Sequence, residues 1–279
     1  MADIASEPAL RPQLSVAHAP WLVETAAYDE SGRTVQVRVP AERALTLYLD
    51  KRELVTLMTL GLQPELLTLG YLRNQRLLQS LNQIEAVTVD WEVGASAIST
   101  RPGVVVDALA HLGRRVVTTG CGQGSLFSHV IDELDHVTLP ATTVTPALVQ
   151  AVVQRVRDQP TIYKQSGSVH GCALLRQDEL LLLVEDVGRH NALDTLAGWL
   201  WWQQGDAFEP RDLLLYTTGR LTSEMMLKAA LMGVAVVISR SGITQMGLEL
   251  AQRLGQCAIG RALHQRFLCY AGKQRMRWP

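Results

Sequence analysis

Polar and apolar residues alternate through residues 34–39 and again through 45–49, the period-two pattern of half-buried strands. Pro64 opens the run Glu-Leu-Leu-Thr-Leu-Gly-Tyr-Leu, and proline suits a first helical turn, so a helix is expected there. Strand-like stretches follow at 86–93 and 103–106. Residues 1–33 are rich in alanine, proline and polar residues without a clear period, and read as a tail or a loose first strand. A small α+β domain is therefore expected over 34–127, behind a tail over 1–33.

The pattern is cleaner in the second half. Thr145-Pro146 starts a helix carried by 147–157. Residues 169–176 and 179–185 read as a hairpin around a polar Gln-Asp turn. Helices are expected at 191–203, 222–232 and 244–254, with strands at 213–217, 234–239, 257–259 and 266–270. Strands alternating with helices after a hairpin imply a layered α/β domain with a mixed sheet over 128–279. Trp199, Trp201 and Trp202 read first as core or a subunit contact, and second as a surface for stacking a base.

Bulk numbers narrow the chemistry. The 279 residues carry a net charge of −1, so no whole-chain field favours nucleic acid or an acidic membrane, and neither is an expected partner. Any anionic ligand must be held by local arginines. No apolar run approaches spanning length, and the first residues show no basic stretch followed by an apolar one. The four cysteines, Cys121, Cys172, Cys257 and Cys269, form no Cys-x-x-Cys pair and no secreted disulfide framework. A reducing cytoplasm is the expected location.

Cys121 is the first chemical candidate. It lies in Val-Val-Thr-Thr-Gly-Cys-Gly-Gln-Gly-Ser, downstream of Arg114 and Arg115. Flanking glycines leave backbone amides exposed, and amides and cations favour the reactive thiolate. The run suits a presented nucleophile or sulfur carrier; a loop cysteine without a role, or a metal ligand, is the plainer reading.

Three polar clusters fall where strands run into helices, the usual ligand position in open α/β sheets. They are Glu185-Asp186-Val187-Gly188-Arg189-His190-Asn191, Thr217-Thr218-Gly219-Arg220-Leu221-Thr222-Ser223-Glu224, and Ser239-Arg240-Ser241-Gly242-Ile243-Thr244. Each sets an arginine and hydroxyl or carboxylate groups beside helix-start amides, a combination suited to phosphate. Singly, Asn191, Thr222 and Thr244 read as helix caps, and Glu185 with Arg189 or Glu224 with Lys228 as ion pairs. Three equivalent positions in one sheet argue for a shared pocket. His170 and Cys172 share one face of a strand, where a core histidine and a buried cysteine outweigh the beginning of a metal site.

Together these runs resemble the formate dehydrogenase accessory protein family, FdhD. The likeness rests on 185–194, on Gly219-Arg220-Leu221-Thr222-Ser223-Glu224-Met225 through Lys228, on Ser239-Arg240-Ser241 with Thr244, and on Ser166-Gly167-Ser168-Val169-His170. The Cys121 run is similar to the family's sulfur-carrying loop. The likeness spans about residues 34–272 and is thin before Val116. It implies a cytidine-deaminase-like α/β domain after a small α/β domain, in a cytoplasmic homodimer. It implies that persulfide sulfur is taken from an IscS-type cysteine desulfurase. The sulfur passes to molybdenum bis(molybdopterin guanine dinucleotide), the cofactor of formate dehydrogenase, which binds as a substrate and for which GDP is a possible mimic. By the same likeness Cys121 carries the sulfur. Arg189, His190, Asn191, Arg220, Thr222, Arg240 and Ser241 would then meet the cofactor. So would the segment Arg261-Ala262-Leu263-His264-Gln265-Arg266.

The chain departs from the family pattern at several places. Gly124 stands where a second loop cysteine is common, Ile243 where a proline is usual, Thr195 for a lysine and Leu263 for an arginine. Asp50-Lys51 replaces an Asn-Gly turn, and Asn74-Gln75 a Glu-Gly pair. A non-catalytic cofactor chaperone, or a paralogue serving another molybdoenzyme, is one alternative. A zinc hydrolase is another, but His170-Gly171-Cys172 lies on a strand and no Pro-Cys-x-x-Cys follows, so no resident metal is expected.

Overall fold

The computed structural model describes residues 11–106, 116–118, 137–204 and 212–279. Cys121, Gly124 and the boundary expected near 127 lie outside the described residues.

The first unit contains β1 (Gln13–Leu14), β2 (Leu22–Tyr28), β3 (Thr34–Pro40), β4 (Arg43–Leu49), β5 (Arg52–Thr59), α1 (Pro64–Asn74), β6 (Ile84–Asp90), β7 (Ala95–Thr100) and β8 (Val116–Thr118). Its sheet runs β1-β6-β7-β4-β5-β8, and β2 pairs with β3 as a separate ribbon. Residues 22–28, within the stretch read as a tail or a loose first strand, are thus the strand partnering β3. Residues 103–106 form no strand, against expectation. Strand β4 turns into β5 through Asp50 and Lys51, at φ 46° and 70°. A two-residue hairpin needs positive φ at both central positions, and here the turn forms without the glycine that usually signals it.

The second unit contains α2 (Pro146–Arg157), α3 (Ile162–Ser166), β9 (His170–Arg176), β10 (Glu179–Asp186), α4 (Arg189–Gln204), β11 (Leu213–Thr217), α5 (Ser223–Leu231), β12 (Val236–Ser239), α6 (Gln245–Arg253), β13 (Cys257–Leu263) and β14 (Arg266–Ala271). Its sheet runs β10-β9-β11-β12-β13-β14. Strands β11, β12 and β13 are mutually parallel, while β9, β10 and β14 join antiparallel. This is the expected layered α/β unit with a mixed sheet, preceded by a small α+β unit. One core packs α4, α5 and α6 on one face of the sheet, through Leu193, Leu196, Met225 and Leu250. The other face packs against α2 through Val149, Val152 and Val156. Trp201 is fully buried in the core of the first unit, as the core reading of the tryptophans expected.

The units meet where α1 crosses α4. A Cβ on Gly70 would stand 1.6 Å from the Asp194 carbonyl oxygen, and one on Gly198 1.9 Å from that of Leu66. Only glycine permits backbones this close. Asn74 Nδ2 donates to Asp194 Oδ1 at 2.7 Å across the same crossing. Beside it, Asp186 accepts from Thr59 Oγ1 at 2.5 Å and the Leu60 amide at 3.1 Å in the first unit, and from the Gly188 amide at 2.9 Å in its own. Asn191 does not cap α4, which begins two residues earlier. Its Nδ2 instead donates to the Met58 carbonyl at 2.7 Å and to Asp186 at 3.0 Å.

Candidate functional site

The C-terminal ends of β11 and β12 carry the second and third polar clusters, and the β10–α4 junction carries the first. Backbone bonds tie the clusters together. The Arg240 amide donates to the Thr217 carbonyl at 3.0 Å, the Leu221 amide to that of Gly242 at 2.9 Å, and the Arg261 amide to that of Ser241 at 2.7 Å. Ser239 Oγ donates to the Gly219 carbonyl at 2.6 Å and accepts the Ser241 amide at 2.9 Å. Thr222 and Thr244 cap α5 and α6 by accepting the Met225 and Gly247 amides, as their position before a helix predicts.

The three cluster arginines lie near enough to His170, at the start of β9, for their charges to bear on it. Its pKa is lowered first by burial and then by the charges of Arg189, Arg220 and Arg240 in turn. Arg189 is 7% exposed, and its Nε has no hydrogen-bond partner among the described residues. It lies over Gly219, where an added Cβ would stand 3.0 Å from the Arg189 Cδ. A desolvated guanidinium with an orphaned donor is costly unless something anionic or polar meets it. Arg220 is exposed. The expected Glu185–Arg189 ion pair is replaced by a cap: Glu185 accepts the Ile162 and Tyr163 amides of α3, at 2.5 and 3.1 Å.

A cavity of about 310 Å³ opens at these strand ends, with Arg157, Tyr163, Thr218, Arg240 and His264 in its wall. The Arg240 guanidinium lies 5.0 Å from the Tyr163 ring centroid, a cation–π distance. Arg157 meets His264 Nδ1 at 2.9 Å. Of the segment 261–266, Ala262, Leu263 and His264 line this cavity. Arg261, Gln265 and Arg266 line an adjoining open groove of about 1260 Å³, which shares Leu263 and His264 with it. The β13–β14 hairpin is therefore a partition between two cationic hollows. Tyr163 escaped the sequence analysis because α3 is a single short turn without a hydrophobic period.

His190 and Asn191 point elsewhere. His190 Nε2 stands 3.4 Å from Glu224, in a buried chain with Lys228 and Asp194, whose closest contact, Lys228 Nζ to Asp194 Oδ2, is 2.8 Å. Burial first, then the nearby Lys228 and Arg189 charges, pushes the His190 pKa down to about 2. The folded state therefore keeps His190 neutral, while the unfolded chain protonates it near its ordinary value. A depressed histidine contributes stability above the unfolded pKa and loses it as pH falls. Unfolding free energy is expected to drop by about 1.4 kcal/mol per pH unit below about 6.5 on account of this one residue. Denaturant titrations from pH 7 to 4 on the parent and His190→Gln check this; equal acid slopes would contradict it.

Cys172 is fully buried, its thiol 3.3 Å from Thr217 Oγ1, and desolvation raises its pKa to about 12. It is a core thiol rather than a nucleophile. No group of three or more potential metal ligands occurs among the described residues. No helix among them is long and apolar enough to cross a membrane.

The chain is thus a two-unit α/β protein with an arginine-walled hollow at the strand ends of its second sheet. Comparison with known proteins gives the family. The FdhD/NarQ family model matches residues 40–277, and the chain belongs to that family. It is 30% identical over 257 residues to the sulfur carrier protein FdhD of Bacillus licheniformis, spanning 90% of this chain and 95% of the relative. The sulfur carrier protein FdhD of Bacillus subtilis is 30% identical over 244 residues, 87% and 92% of the two chains. Among solved structures, a candidate formate dehydrogenase accessory protein from Desulfotalea psychrophila shares the fold. Its TM-score is 0.72 at 22% identity, over 92% of this chain and 98% of that one.

Proposed function

We propose that this protein is a sulfur carrier serving formate dehydrogenase. It takes persulfide sulfur from an IscS-type cysteine desulfurase and passes it to molybdenum bis(molybdopterin guanine dinucleotide), bound as substrate. The relatives' name supports the sulfur chemistry. The observation that carries the ligand is the strand-end hollow walled by Arg157 and Arg240 beside the Tyr163 ring. Guanidinium groups there suit pyrophosphate oxygens.

In this reading the inner cavity takes one guanine nucleotide arm. Arg240 meets phosphate and Tyr163 offers a flat face to the base. The remainder of so large a ligand extends over Leu263 and His264 into the outer groove. The Cys121 thiolate attacks the outer sulfur of the desulfurase persulfide; that S–S bond breaks, the desulfurase thiolate leaves, and Cys121 holds the sulfur. The protein works as a cytoplasmic homodimer.

GDP binding tests the ligand site. Arg240→Ala is expected to weaken GDP by about 1.5–3 kcal/mol, the scale of hydrogen bonds to charged groups, and Arg220→Ala by less because it is exposed. Isothermal titration of the parent and both variants gives the answer. Unchanged affinity in Arg240→Ala would make these arginines structural.

A further inference from the structure

Two thiols outside the arginine cluster stand together on neighbouring strands. Cys257 opens β13 and Cys269 lies in β14. The register pairs Ile259 with Cys269 and Ala258 with Ala271, leaving a bulge between them. Cys257 and Ile259 face the same core, and Cys269 packs against it. Cys269 Sγ lies 3.3 Å from the Ala271 carbonyl oxygen, so its side chain leans along β14 toward Cys257. The two thiols are near enough for each to bear on the other's ionisation.

Their surroundings differ. Cys257 is fully buried. Cys269 is half-buried in the wall of the outer groove, with Arg261, Arg266, Lys273 and Trp278. Cations lining the same groove attract anionic reagents.

From this juxtaposition we infer a thiol modification site: Cys269 is the attacking thiol for anionic low-molecular-weight disulfides, and Cys257 is the resolving thiol that closes a β13–β14 crosslink. The Cys269 thiolate attacks one sulfur of the reagent; the reagent S–S bond breaks, a mixed disulfide forms and one thiolate leaves. Cys257 gives up its proton to solvent and attacks the Cys269 sulfur, and the second thiolate leaves. The protein loses two electrons and two protons, and the reagent is reduced to two thiols.

The order of attack follows from access, because the buried Cys257 meets only a sulfur already seated beside it. The neighbouring Cys257 thiol lowers the Cys269 pKa, while Cys269 and burial push that of Cys257 up. The crosslink would fasten the base of the hairpin whose tip divides the two hollows. Neither Cys121 nor GDP takes part in this exchange.

The test uses the full chain carrying Cys121→Ala, so that the glycine-flanked thiol does not compete. Glutathione disulfide is added at neutral pH, and peptides are mapped by mass spectrometry without reduction. The expected product is a Cys257–Cys269 linkage, and in Cys257→Ser a glutathione adduct that persists on Cys269. Alkylation by iodoacetamide in the otherwise unmodified chain should be at least about tenfold faster at Cys269 than at Cys257 or Cys172, as thiolate fraction and exposure dictate. This second measurement decides the matter even where Cys257→Ser fails to fold. An unreactive Cys269, or an adduct that stays on it while Cys257 is present, overturns the proposal.

Discussion

Gly198→Ala will destabilise the chain by more than about 3 kcal/mol, at or beyond the upper end of the usual cost of overpacking. Two effects compete. Alanine inside an exposed helix gains about 1 kcal/mol over glycine. At this position the new methyl group would lie 1.9 Å from the Leu66 carbonyl oxygen and 2.8 Å from the Gly70 nitrogen. Both are backbone atoms and cannot swing aside. The helices must separate, and separation also loosens the Asn74–Asp194 bond and the packing of Trp201. Gly70→Ala should cost as much, its methyl meeting the Asp194 carbonyl. Gly242→Ala is the control, with nothing within 4 Å of the added carbon, and should stay within about 0.5 kcal/mol. Urea unfolding of the three variants measures this. A loss under about 1 kcal/mol at Gly198 would mean that the crossing relaxes easily.

Cys121→Ala will abolish sulfur loading and reduce activation of a client formate dehydrogenase to the level without the protein. Of the four cysteines, Cys172 is sealed and hydrogen-bonded to Thr217, Cys257 is sealed, and Cys269 is half-buried in a strand of the outer groove. Only Cys121 has glycines on both sides, and Gly124 offers no neighbouring thiol to take over. Incubation with desulfurase and cysteine should add one sulfur to the parent chain at Cys121 and none to the variant, read by intact mass. A variant that still activates the client would favour the cofactor-chaperone alternative, and GDP affinity retained in it would show that the ligand site survives the loss of the thiol.

The second unit was the more legible from sequence. Its helices follow caps at Thr145, Thr222 and Thr244, and its central strands are short, dense apolar runs between polar ends. The first unit hid β5, because Asp50 and Lys51 make a positive-φ turn without the usual glycine. It hid β7, whose Ala-Ser-Ala-Ile-Ser-Thr is too small and polar to show a period. Residues 103–106 look like a strand by residue type, but pair with nothing among the described residues. The string 185–194 was legible as a signature and not as a division of labour. Local order suggested that Asn191 caps a helix and that Glu185 pairs with Arg189. The real partners are Met58, some 130 positions away in the chain, and the α3 amides. Such distant partners leave no periodic trace. That the second and third clusters share one rim was inferable, since parallel strands bring their carboxyl ends together.

Asp186 bears on how the proposed pterin would arrive. A jaw hinged between the units would cost its carboxylate the bonds to Thr59 and Leu60 together. Opening along that seam is therefore opposed. A ligand of the strand-end hollow would enter over the lip of the second sheet, beside the β13–β14 hairpin.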